Sequence, residues 1–122
     1  MTGQMIVERA AVLSGRPTEA FPWGDGLQHS ALAFVDTVTA ELWYALETTP
    51  YTPLETLESE IPLPCEAALA LAYGVAMLFA RAEGDLTAHT LLASEYDRHR
   101  AVLCRSAPVI RDRFGEVTRC DI

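Results

Sequence analysis

The sequence contains no lysine; all nine of its basic residues are arginine. That absence excludes Schiff-base chemistry and the lysine-dependent phosphate loop G-x-x-x-x-G-K-[ST]. Basic residues are also missing locally. Between Pro17 and Ala80 there are nine acids and no arginine, whereas Arg98, Arg100, Arg105, Arg111 and Arg113 share a later stretch with one acid, Asp112. A formal net charge of −8 lacks the basic footprint with which a general nucleic-acid binder displaces counterions, although a local arginine contact to phosphate is compatible with it.

Cysteine is scarce. Cys65, Cys104 and Cys120 are odd in number and widely spaced, without a C-x-x-C pair. No charged-then-apolar leader is visible, so the expectation is a reducing compartment with thiols packed as small hydrophobes. A Cys104–Cys120 bridge is the lesser alternative. Long apolar runs are missing too. The charge-free stretch from Ala67 to Ala80 falls short of the about 20 residues that span a bilayer and contains Gly74, so it reads as a buried helix with no membrane partner. His29, His89 and His99 match no metal spacing, and there is neither H-E-x-x-H nor G-x-S-x-G. His99 reads as a core-edge histidine paired with Glu95, one helical turn earlier. The acids Glu55, Glu58 and Glu60 read as a solvated loop before they read as a cation site. No catalytic residue, metal or cofactor is assigned; a surface, not an active centre, is expected to do the work.

The sequence does have helical periodicity. Ile6, Ala10 and Leu13 mark a first helix over about 4–14, stopped by Gly15. Pro17 and Pro22 punctuate a loop whose Phe21 and Trp23 are expected to anchor on the core. Asp25 and Gln28 read as a capping box opening a second helix over about 26–47. Its stripe is Leu27, Ala31, Phe34, Val35, Val38, Leu42, Ala45 and Leu46; Asp36, Thr39 and Glu47 lie off it, and Trp43 and Tyr44 widen the apolar face. Pro50, Pro53, Pro62 and Pro64 forbid a helix in the acidic connection that follows, apart from one short turn near 54–59. A third helix over 64–83, apolar all round, is predicted to be the most buried element. A fourth, capped by Asp85 or Thr87 and stopped by Pro108, carries Ala88, Leu91, Leu92, Tyr96, His99, Val102 and Leu103 on its apolar stripe. Residues 108–122 are expected to form a short extension, flexible or ordered by a partner. Together these elements predict a single all-α domain over 1–122, a small bundle of about four helices.

One stretch resembles a known family. Glu41-Leu42-Trp43-Tyr44 leads through Tyr51-Thr52-Pro53-Leu54 to Ile61-Pro62-Leu63-Pro64. Ala68-Leu69-Ala70-Leu71-Ala72-Tyr73-Gly74-Val75-Ala76 follows, then Glu83-Gly84-Asp85, and finally Tyr96 and Arg100. This order, an I-x-L-P lead into an alanine-rich helix with a Tyr-Gly-Val-Ala core, resembles the head–tail connector (adaptor) proteins in the neck of tailed phages and prophages. The resemblance covers roughly half the chain, and its motifs concern packing, not chemistry. It implies a virion structural protein assembled in the host bacterial cytoplasm. It also implies a ring, dodecameric in the family, that binds the portal above and the next neck or tail protein below. DNA would pass through the channel without sequence-specific binding. The short arginine-rich end and the lack of lysine depart from the family pattern.

The charge split suggests how copies meet. Glu41, Glu47, Glu55, Glu58 and Glu60 are the candidate acidic side, with Arg98, Arg100, Arg105, Arg111 and Arg113 as the basic side, facing one another between adjacent copies or toward the portal. The alternatives are a small acidic binding or inhibitor protein, monomeric or dimeric, and an enzyme with a cryptic site around Cys104, His99 and Glu95.

Overall fold

The computed structural model describes residues 1–16, 23 and 25–106. Over these the protein is an all-α bundle of four helices: α1 (Gly3–Leu13), α2 (Ala31–Leu46), α3 (Ala68–Ala82) and α4 (Leu86–Arg105). Short 3₁₀ turns, Asp25–Ser30 and Cys65–Ala67, lead into α2 and α3. The expected C-terminal extension, with Arg111 and Arg113, lies outside the described residues, as do Phe21 and Cys120.

Backbone chemistry sets the helix ends. At the start of α1 the Thr2 hydroxyl accepts the Met5 amide at 3.3 Å. Beyond its last turn Gly15 adopts φ 71°, and the Arg16 amide reaches back to the Ala11 carbonyl at 2.8 Å. The same closure recurs at the end of α3: Gly84 has φ 78°, and the Asp85 amide bonds to the Ala80 carbonyl at 3.0 Å. Both use a left-handed glycine to satisfy carbonyls that the ending helix leaves open. Asp85 then caps α4, its carboxylate accepting the Ala88 amide at 3.0 Å. One residue thus ends α3 and starts α4, which makes the α3–α4 hairpin tight.

The second helix differs from its expected start. Regular α-helix begins only at Ala31, after a 3₁₀ segment, and Ser30 provides no side-chain cap. Its stripe is otherwise as periodicity predicts, with Ala31, Val35, Val38, Leu42 and Leu46 buried. Thr39 is a correction: although polar, it is fully buried, because its hydroxyl donates to the Val35 carbonyl at 2.7 Å within the same helix. Tyr44 does not extend the apolar face; it is exposed.

The α3 helix is the centre of the bundle, packing on α4, α1 and α2. Eight of its fifteen residues are buried, against two of the twenty in α4. It is not apolar against protein on all sides: Leu69 is exposed and Tyr73, Met77 and Leu78 are half-buried. By length and composition Cys65–Ala82 would suffice to cross a membrane, but half of that stretch is buried in the bundle, and it is a core helix here. Gly74 sits at the closest approach. A Cβ there would lie 2.6 Å from Val38 Cγ1 and 2.9 Å from Tyr96 Cε1, so α2 and α4 both approach α3 where it has no side chain. At the far end, Trp23 stacks on Phe79 with ring centroids 4.1 Å apart, and Phe34 meets Phe79 edge-on at 4.9 Å. The expected loop anchor is thus in the core, and Arg16 covers it, lying over the indole and pairing with Glu83.

Candidate functional site

The acidic connection, 47–64, is tied down at two places. Asp36 projects from α2 and accepts both the Tyr51 hydroxyl at 2.7 Å and the Leu54 amide at 2.9 Å. Trp43 Nε1 donates to the Thr49 carbonyl at 2.7 Å, and the Tyr51 amide donates to the Tyr44 hydroxyl at 3.1 Å. Farther along, the chain turns at 56–59 and runs beside the start of α1. There the Gln4 amide donates to the Leu57 carbonyl at 2.9 Å, the Ile61 amide to the Met1 carbonyl at 3.0 Å, and Thr2 and Glu60 form an isolated antiparallel bridge. Burial, then the neighbouring Asp36 carboxylate, pushes the Tyr51 hydroxyl well above its ordinary range.

This anchoring sorts the candidate acids. Glu60 pairs with the Met1 amine at 2.6 Å. Glu47 accepts the adjacent Thr48 amide at 2.9 Å. Glu55 and Glu58 are exposed and point no convergent set of ligands at one place; among the described residues no group of three or more metal-binding side chains occurs. Glu41 has partners within its own chain. It lies 3.3 Å from Arg100 Nε within the same chain and accepts the Tyr96 hydroxyl at 2.8 Å. The Arg100 contact is an ion pair without hydrogen-bond alignment, which leaves Nε buried and unbonded. Burial and the Glu41 carboxylate raise the Tyr96 hydroxyl far above its ordinary range. Glu41 and Arg100 are therefore used to join α2 to α4, and one pair of the expected intersubunit charges is internal.

Of the other candidate arginines, Arg98 and Arg105 lie on the outside of α4. Arg98 pairs with Glu95 one turn back at 2.6 Å, which holds the Glu95 carboxyl below its usual value. Arg105 is exposed in the last turn. His99 is half-buried, stacks on Tyr73 at 5.1 Å between centroids, and lies 3.6 Å from Glu95. This is the core-edge position its sequence context predicts. Cys104 is exposed, so it does not gather with His99 and Glu95 into a buried site.

Compared with known protein families, curated proteins and solved structures, the chain matches none.

The outer face of α4 carries the feature that periodicity misplaces. Leu91 and Val102, expected on the buried stripe, are exposed, and so is Leu86. The buried side is carried by Tyr96 and Leu103, with Leu92 partly covered. Leu86, Thr87, Thr90 and Leu91 line a shallow open depression. The sequence showed apolar residues on more than one side of α4 but not which side α3 and α2 would cover.

Proposed function

We propose that the protein is a structural subunit of a phage neck, a head–tail connector whose copies form a ring below the portal and extend the DNA channel. The observation that carries the reading is the order and packing of the connector-like motifs. The Ile61-Pro62-Leu63-Pro64 lead bends into the 3₁₀ turn that opens α3, Gly74 of the Tyr-Gly-Val-Ala core lies against Tyr96 of the next helix, and Glu83-Gly84-Asp85 makes the turn between them. Tyr96 in turn reaches Glu41 in the first of the resembling segments, so the motifs form one contiguous unit. In this reading the exposed Glu55, Glu58 and Arg105, together with Arg111 and Arg113, are offered to neighbouring copies or to the portal. Arg98 is offered too once its local pair with Glu95 opens. The protein acts by assembling and carries out no catalytic step.

Native mass spectrometry over rising concentration tests this, with and without a candidate portal protein from the same genome. A closed ring, or a stoichiometric complex with the portal, is the expected result. A chain that stays monomeric or dimeric and ignores the portal overturns the reading in favour of a small acidic binding protein.

A further inference from the structure

We propose that α4 is a self-pairing helix: two copies of the chain pack their α4 helices antiparallel through a seam of Leu91, Glu95, Arg98 and Val102. Three observations carry this. The first is exposure. Leu91 is 66% and Val102 46% exposed, and the Arg98 and Glu95 side chains beside them are 64% and 40% exposed. The second is spacing. The four residues fall at intervals of four, three and four, the pattern of a helix–helix seam. At about 100° per residue they occupy a strip roughly 60° wide, turned away from the buried Tyr96 and Leu103. The third is symmetry. The intervals read the same in both directions, so a two-fold axis between Tyr96 and Asp97 sets Leu91 opposite Val102 of the second copy and Glu95 opposite its Arg98.

Chemistry and geometry therefore agree at every crossing: apolar meets apolar, and acid meets base. The Glu95–Arg98 pairs of the two copies form one cluster of alternating sign. A parallel arrangement would set Glu95 against Glu95 and Arg98 against Arg98, so the charges select the antiparallel one. Such an interface is isologous and closes at two copies. It is independent of the connector reading, whose ring needs two different flanks on each copy. Because pairing covers Arg98, it describes the free subunit, not the ring. A contact of about three turns of helix buries less than the ~1,600 Å² of a standard stable complex, so the pair is weak, with dissociation in the micromolar-to-millimolar range.

The test is sedimentation equilibrium of the full chain, wild type against Glu95→Arg, Arg98→Glu and an equimolar mixture of the two. Both substitutions lie at the solvent-facing side of α4, and unchanged helical circular dichroism checks the fold. Each single variant sets like charges across the seam and should weaken self-association at least tenfold. The mixture sets opposite charges at both crossings and should recover association as a heterodimer. A Leu91→Glu variant should stay monomeric. A wild type that is monomeric at about 1 mM, which places any dissociation constant well above that concentration, overturns the proposal, as does a mixture that associates no better than either variant alone. Failure here leaves the ring reading untouched, since that reading is tested by higher-order assembly with the portal.

Discussion

At Gly74 two helices, α2 and α4, come within side-chain distance of the α3 backbone, and no larger residue fits without a shift. Gly74→Ala adds intrinsic helix propensity of up to about 1 kcal/mol but drives a methyl into Val38 and Tyr96. Overpacking of this kind costs about 1–3 kcal/mol, so urea denaturation should show a net loss of stability. Val75, fully buried one residue on, tolerates no charge; Val75→Asp should abolish the cooperative transition, because an unpaired buried charge costs several kcal/mol. The two tied tyrosines predict a pH dependence. Tyr51 and Tyr96 have hydroxyls raised above the unfolded value near 10. Their contribution is present in full below that value. It is lost as pH rises beyond it, where the unfolded chain releases the protons and the folded one does not. Stability should fall steeply above pH about 10, with the 295 nm phenolate signal of these two residues appearing together with unfolding. In a Tyr51→Phe/Tyr96→Phe variant that coupled step should vanish.

Among the elements, the connection between α2 and α3 departs most from what its composition suggests. Proline excludes helix there, and acids advertise solvent, yet the segment is pinned to α2 by Asp36 and to α1 by backbone hydrogen bonds. Asp36→Ala removes the acceptor of both the Tyr51 hydroxyl and the Leu54 amide. Hydrogen bonds to a charged group contribute about 1.5–3 kcal/mol each. The variant should lose roughly 3–6 kcal/mol and expose residues 48–56 to limited proteolysis, while Asp36→Asn, which keeps one acceptor oxygen, should be milder. The α3–α4 hairpin is the opposite case. A left-handed glycine followed at once by a capping aspartate is legible from Gly84-Asp85 alone, and the helices on either side bury each other.

For the whole molecule, the charge split along the chain is partly cancelled by folding. Glu41 meets Arg100, Glu83 meets Arg16, and Glu95 meets Arg98. These exposed or half-exposed pairs hold geometry more than they add stability, since each contributes about 0–1 kcal/mol. Among the described candidate residues, the exposed ones left without an ion pair are fewer than the linear sequence suggests: Glu55 and Glu58 on the connection, and Arg105 on the last turn of α4. The thiols are expected to be chemically silent. Cys65 is half-buried and Cys104 exposed, so neither is fully packed as the small hydrophobe expected; replacing all three cysteines by alanine or serine should leave the fold and the proposed assembly intact, apart from some loss of stability. A folded variant that no longer assembles would refute this.

The sequence alone determined which segments are helical and where they stop, because those outcomes follow from local rules: apolar periodicity for α1 to α4, glycine at Gly15 and Gly84, and proline between Pro50 and Pro64. It also marked α3 as the core helix, since a segment with no polar face must be surrounded. It did not determine which face of α4 is buried. Leu91 and Val102 are as apolar as Leu92 and Leu103, and only the positions of α3 and α2 decide between them. Nor did it show that Thr39 is internal, that Asp36 holds the connection, or that Glu41 pairs with Arg100. Those contacts join residues 15 to 59 positions apart, or depend on a hydroxyl finding its own helix's carbonyl. Composition carries no record of such pairings, and tertiary packing alone brings them within hydrogen-bond distance.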